Sequence, residues 1–221
     1  MFDYFSSPIV WCETKLGYQF YYSPYIVEFW NSVSSLTFCL LALYGYYSHK
    51  NINLDYIPWI YLFLIGVTST WFHATLSFLG KFFDELFIIL LITYCLRIFF
   101  KINIFMYLVT SIFLSTISWF YPSFSPIILM FFGFFLILST YLRVTDKKRD
   151  LIWYNSIKIG IFSVFTWIFD FLCFFNTHMF WHIFIGLSAY NMILFVLRES
   201  NKNLYINGYY LPKLKNNSKE L

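Results

Sequence analysis

Phe83-Asp84-Glu85-Leu86-Phe87-Ile88-Ile89-Leu90-Leu91-Ile92-Thr93-Tyr94-Cys95-Leu96-Arg97-Ile98-Phe99-Phe100 is the stretch that decides the fold. Its centre, Ile88 to Ile92, is apolar on every side. A strand of a membrane barrel instead alternates apolar and polar residues over about ten positions. Run as a helix, the stretch is close to the ~20 residues needed to cross a hydrocarbon core. Six further stretches read the same way: Glu28 to Ser48, Tyr56 to Leu76, Ile104 to Tyr121, Ser125 to Leu142, Tyr154 to Phe174 and Met179 to Leu197. Turn residues separate them, as in His49-Lys50-Asn51, Tyr121-Pro122-Ser123 and Asp146-Lys147-Lys148-Arg149-Asp150. The expected fold is an all-α, integral membrane, seven-transmembrane helix bundle.

Composition agrees. The chain has 221 residues, 60% hydrophobic and 26% aromatic, with only 12% charged. Soluble domains carry roughly 25% charged residues, so a water-soluble domain of this size lacks the polar surface to cover itself. Disordered chains are poor in aromatic residues, and this one has thirty Phe and nineteen Tyr. No linker or repeat divides it. One membrane domain is expected over 1–221, with a segment 1–27, helices across 28–198 and a tail 199–221.

Orientation follows from the basic residues. With seven spans, Lys15 and Lys81 fall on the face of the N-terminus, and the other thirteen of the fifteen Lys and Arg fall on the opposite face. The N-terminus is therefore expected to be non-cytosolic and the C-terminus cytosolic. Residues Met1 to Val10 carry Asp3 and no basic residue, so no cleavable signal peptide is expected.

Ionisable residues inside a membrane span are costly and mark function by default. His178 and His182 are four apart, so on a helix they share a face about 5–6 Å apart. That spacing suits two ligands of one metal; interhelical hydrogen bonding is the alternative. Topology adds His73, late in the second span, and Asp84, opening the third, at the same membrane level. Ser69, one turn before His73, lies on the same stripe. Three imidazoles leave a tetrahedral zinc one open position, the arrangement of catalytic sites. Such a centre acidifies water and polarises a carbonyl. Asp84 is then the candidate to take a proton or to orient a ligand histidine, and Ser69 to donate to a developing oxyanion. The structural alternatives are a helix cap for Asp84 and a back-bonded hydroxyl for Ser69. Glu85 reads as a first-turn acid, and Asp170, inside the sixth span, needs a partner of either kind.

Before the first span stand Trp11-Cys12-Glu13 and, at its start, Glu28-Phe29-Trp30-Asn31. Their two acids offer oxygen to a hard cation such as calcium, which takes six to eight such ligands; an interfacial aromatic belt with solvated acids is the alternative. Cys39 and Cys95 read as packing residues. Cys12 and Cys173 both fall toward the non-cytosolic face, where an oxidising lumen permits a disulfide.

Together these elements resemble the alkaline ceramidases, seven-span zinc hydrolases of a superfamily that includes the adiponectin receptors and GPI-remodelling proteins. The resemblance rests on Trp11-Cys12-Glu13, Ser23 to Asn31, Ser69 to Leu76, Asp84-Glu85-Leu86 and His178-Met179-Phe180-Trp181-His182. It implies a zinc on His73, His178 and His182, with Asp84 and Ser69 assisting. The substrate it implies is a ceramide-like sphingolipid, cleaved at its amide to a sphingoid base and a fatty acid. The implied setting is an endoplasmic reticulum or Golgi membrane. It also implies a calcium on Glu13, Glu28, the Trp11 carbonyl and two further ligands. Here the sequence departs, with Val10 and Lys15 where the family usually has Asp and Asn; Lys15 could stand in for the cation's charge. An insoluble substrate further implies an apolar, Phe-lined cavity ending at the metal. Two readings compete: a receptor-like, non-hydrolytic relative with a structural zinc, and a haem protein, which leaves Asp84 and Ser69 without a task.

Overall fold

A computed structural model describes residues 1–49, 55–143 and 151–200. Among these lie eight helices and no strand. The first, α1 (Cys12–Lys15), is a single turn, too short to leave a periodic signal in the sequence. Seven long helices follow, each on one of the seven apolar stretches: α2 (Phe29–His49), α3 (Ile57–Thr75), α4 (Phe78–Phe100), α5 (Ile104–Phe120), α6 (Ser125–Arg143), α7 (Leu151–Phe171) and α8 (His178–Ser200). Ile57–Thr75, Ser125–Leu142, Leu151–Phe171 and His178–Ser200 are long and apolar enough to cross a membrane, and α5 is a shorter apolar helix. Polar residues interrupt the other two: Asn31, Ser32, Ser34 and Ser35 in α2, and Lys81, Asp84, Glu85 and Arg97 in α4.

Lys50, Lys147, Lys148, Arg149, Lys202, Lys213, Lys215 and Lys219, on which the orientation reading leans, lie outside the described residues, as does the tail from residue 201.

Two boundaries differ from expectation. Helix α4 begins at Phe78, five residues before Phe83, because Ser77 caps it: the Ser77 hydroxyl accepts the Gly80 N–H at 3.1 Å. Asp84 and Glu85 thus lie well inside the helix. Asp84 does not cap it, and Glu85 is not a first-turn acid. Helix α7 runs about three residues earlier than expected and stops before Cys173, whose φ of 52° is left-handed.

Helix α8 is central, packed on α2, α4 and α7. Its run Ile193 to Leu197 is buried all round, as a core helix must be. Helices α2, α3 and α4 form a consecutive layer beside it, and α5 and α6 pack on α4. Helices α7 and α8 approach closely through small residues: Ser156 and Ser188 each donate to the other's carbonyl at 2.8 Å, beside Gly160. The outer helices turn Ile112, Phe113, Phe131 and Phe134 outward, each more than 60% exposed. An apolar face this broad matches lipid rather than water.

The tight α3–α4 turn, with Leu76 left-handed at φ 48°, makes an antiparallel pair whose shared end carries both His73 and Asp84. The N-terminal segment closes over that end. Phe5, Ser7, Val27 and Glu28 donate backbone N–H groups to the carbonyls of Thr75, Leu76, Ala74 and His73 at 2.9–3.1 Å. These are the acceptors that a helix C-terminus leaves unpaired.

Candidate metal centre

His73 on α3 and His178 and His182 on the first turns of α8 are each no more than 1% exposed. One ligand atom from each lies within 4.8 Å of the others, and the ring centroids are 4.6–5.0 Å apart. The distant stretches that hold these three residues therefore meet in one cluster.

Each imidazole has a different neighbour at Nδ1. His73 donates Nδ1–H to Glu28 Oε2 at 2.7 Å. His182 Nδ1 lies 2.8 Å from the Ser34 hydroxyl and 3.5 Å from that of Ser35. His178 Nδ1 faces Asp170 Oδ2 at 3.6 Å, and its ring stacks on Trp11 with centroids 4.0 Å apart. With Nδ1 of His73 and His182 hydrogen-bonded, their outer nitrogen Nε2 is left for a metal; His182 Nε2 is buried with no partner among the described residues, and so is His178 Nδ1, which stands beyond hydrogen-bond distance of Asp170. Histidines that ligate metal are held this way, by a group on the opposite ring nitrogen.

Asp170 shows why the sequence left it ambiguous. It is fully buried, and its Oδ1 accepts the backbone N–H groups of Thr177 and His178 at 3.2 and 3.0 Å. It therefore caps α8 while its other oxygen faces His178. Glu28 works in two directions too: Oε1 accepts from Trp11 N–H and the Thr14 hydroxyl, and Oε2 from Asn31 Nδ2 as well as His73. Neither role has a local signal, because each depends on a partner seven to forty-five residues away.

Ser69 is buried, and its hydroxyl is hydrogen-bonded to that of Ser35 at 3.0 Å, one link from His182. Thus Ser69 sits at the histidine cluster on a side-chain network, not on a carbonyl of its own helix. Asp84 interacts with the Ser69 hydroxyl from α4, and its Oδ1 is buried without a partner among the described residues.

The atoms expected to hold calcium have protein partners. The Trp11 carbonyl accepts the Lys15 N–H at 3.1 Å. Glu13 accepts the N–H groups of Trp30 and Asn31 at 3.0 and 3.1 Å, capping α2 from a distant segment. Burial pushes the Glu13 carboxyl up to about 7. Lys15 is exposed and makes no ion pair among the described residues. The Sγ atoms of Cys12 and Cys173 lie 2.06 Å apart, at disulfide distance.

A furrow of about 360 Å³ runs between α4 and α5, lined by residues such as Phe82, Leu86, Trp119 and Phe120. None of the three histidines lines it, so this furrow is not the expected cavity ending at the metal.

Helices long and apolar enough to cross a membrane, with a buried three-histidine cluster that could hold a metal ion, define the class: a helical membrane protein with a candidate metal centre. Within it, the family can be given: a model of the Ceramidase family matches residues 3–204, and the chain belongs to that family. It is 29% identical to the alkaline ceramidase of Drosophila melanogaster over 218 residues, which cover 86% of this chain and 76% of that protein. Alkaline ceramidase 1 of Homo sapiens is 26% identical over 231 aligned positions, covering 91% of this chain and 86% of the relative. Alkaline ceramidase 3 of Mus musculus is 28% identical over 247, with 95% and 88% covered.

Proposed function

We propose that this chain is a zinc-dependent intramembrane amide hydrolase that cleaves ceramide-like sphingolipids to a sphingoid base and a free fatty acid. Family membership supports a hydrolase acting on ceramide amide bonds. The observation that carries the metal is the buried cluster of His73, His178 and His182, whose ligand atoms lie within 4.8 Å of one another, with Glu28 and Ser34 at Nδ1 of His73 and His182 and Asp170 facing His178. Three neutral imidazoles are the donor set of a catalytic zinc, and these three would hold it. Zinc, when bound, supplies a Lewis acid and lowers the pKa of water to about 7.

The protein's own groups do the rest. Asp84 takes the proton that the attacking water gives up and returns it to the leaving nitrogen. The Ser69 hydroxyl donates to the amide oxygen as that oxygen gains charge. The C–O bond forms first, placing charge on the amide oxygen; as that oxygen regains its double bond the C–N bond breaks, and the nitrogen leaves as the amine with the proton from Asp84. Trp11 and the N-terminal segment close the histidine cluster from above and exclude water.

In this reading the seven long helices within 28–198 span the bilayer as a single domain. Segment 1–27 is non-cytosolic, the tail 199–221 cytosolic, and the membrane that of the endoplasmic reticulum or Golgi. Calcium fits less well. The carboxylate oxygens of Glu13 and Glu28 accept hydrogen bonds from protein donors, and Val10 and Lys15 bring no side-chain oxygen. No step is assigned to calcium.

The test is hydrolysis of long-chain ceramide by membranes containing His178→Ala or His182→Ala. Both are expected to abolish fatty-acid release and bound zinc while membrane levels of the protein persist; retained hydrolysis by either overturns the mechanism. A zinc-loaded wild type that hydrolyses no long-chain amide would favour the receptor-like reading.

A further inference from the structure

Asn31, the third residue of α2, is fully buried. Its Nδ2 donates to Glu28 Oε2 at 3.1 Å. A carboxylate only accepts, so this contact fixes which end of the amide is the nitrogen. The other end, Oδ1, is buried without a partner among the described residues. An orphan acceptor is a cost that an apolar side chain of the same shape would not carry. Stability is therefore a poor account of Asn31.

What Asn31 does touch are the groups behind His73 and His182. Glu28 Oε2, which takes its amide, also takes the His73 Nδ1–H at 2.7 Å. The far oxygen, Oε1, takes the Trp11 N–H at 3.2 Å and the Thr14 hydroxyl at 2.8 Å. Donors on both oxygens pin the carboxylate against rotation, so the His73 ring is aimed by a fixed group. The main-chain carbonyl of Asn31 serves the second histidine. The Ser34 hydroxyl donates to it at 3.1 Å. A hydroxyl has one hydrogen, so the Ser34 oxygen, 2.8 Å from His182 Nδ1, is left to accept from that nitrogen. In both rings the proton then sits on Nδ1 and the lone pair on Nε2, where a metal binds.

We propose that Asn31 is a positioning residue for metal binding: its amide locks Glu28 behind His73, and its carbonyl turns Ser34 to accept from His182. The inference rests on the zinc reading above and adds to it what fixes the tautomers of two ligands.

Zinc-loaded, full-length protein in bilayers is titrated with a chelator, and the thermal midpoint of the zinc-stripped protein is measured alongside. The visible absorption of the cobalt(II)-loaded form is recorded as well, since it changes when a ligand nitrogen moves. Asn31→Leu keeps the shape of the side chain and removes its amide. It is expected to yield zinc at chelator concentrations about 10- to 100-fold lower than the wild type does, with an altered cobalt spectrum. Ser34→Ala takes the nearest acceptor from His182 Nδ1 and is expected to do the same; Ser34→Thr, which keeps the hydroxyl, is expected to restore zinc retention. Wild-type chelator resistance in Asn31→Leu or in Ser34→Ala overturns the proposal, as does a loss in Ser34→Ala that Ser34→Thr does not recover. An Asn31→Leu protein with a lower midpoint but unchanged zinc retention and spectrum overturns it too, leaving Asn31 a role in the fold alone. If Asn31→Leu fails to accumulate, the two Ser34 variants decide. His73→Ala separates the two readings: if it binds zinc and hydrolyses ceramide as the wild type does, the zinc reading fails; if it is zinc-free while Asn31→Leu and Ser34→Ala keep their zinc, only the inference fails.

Discussion

A ligand histidine is as good as the group behind it, and at this site the three backing groups differ. Glu28 accepts a short hydrogen bond from His73, Ser34 lies beside His182, and Asp170 faces His178 at the longer distance of 3.6 Å. Asp170 is the most exacting of the three because both its oxygens are in use. In Asp170→Asn the amide oxygen would keep the N–H groups of Thr177 and His178, which turns the NH2 toward His178 Nδ1 and the Cys12 N–H, donor against donor. Loss of such an orienting group typically weakens metal binding 10- to 100-fold. The variant is therefore expected to fold, to keep α8 capped, and to yield its zinc to a chelator at concentrations about 10- to 100-fold lower than the wild type does. Unchanged chelator resistance would reduce Asp170 to a helix cap.

At the scale of the element, what matters is how helix ends are closed, and here the sequence was least informative. Seven long helices could be read from apolar run length alone, by comparison with the length that a hydrocarbon core requires. The start of α4 could not. Gly80 and Lys81 look like loop residues in an apolar chain, and the partner that, with Glu85, makes Lys81 tolerable is Ser125, at the start of another helix forty-four residues away and beyond any local pattern. The start of α2 is likewise closed from outside, by Glu13 on the α1 turn rather than by a neighbouring Ser or Asp. This remote cap carries a pH dependence. Burial raises the Glu13 carboxyl from the 4.5 of a free glutamate to about 7, so the folded state favours the protonated form. The stability linked to this group is then complete below about pH 4.5 and lost as pH rises through about 7. Thermal midpoints across that window should decline more in the wild type than in Glu13→Gln, which cannot titrate. Parallel curves would show that Glu13 has the same proton affinity folded and unfolded.

The whole molecule brings the α1 turn, α2, α3, α4, α7 and α8 to one end of the bundle. Spacing in the sequence was enough to gather His73, His178, His182, Ser69 and Asp84, because helix direction fixes which end each occupies. It was not enough to show that Glu28 and Asp170 back the histidines, since that depends on which helices are adjacent. The Cys12–Cys173 pair is the covalent counterpart of that adjacency, joining positions 161 residues apart. Closing so long a loop is worth about 2–5 kcal/mol in chain-entropy models, and here the restraint falls beside the metal site. Cys12 donates its N–H to Asp170, and Trp11, its neighbour, stacks on His178. Without the bridge, the α1 turn is held to α7 and α8 only by such contacts. Cys12→Ser with Cys173→Ser is thus expected to lower the thermal midpoint and to speed zinc loss to a chelator. A membrane-permeant reductant should do the same to the wild type and nothing further to the double variant. If the variant keeps the wild-type midpoint while its zinc still escapes faster, the bridge acts on the site rather than on the fold; if both are unchanged, the contacts of α1 hold it without the bridge.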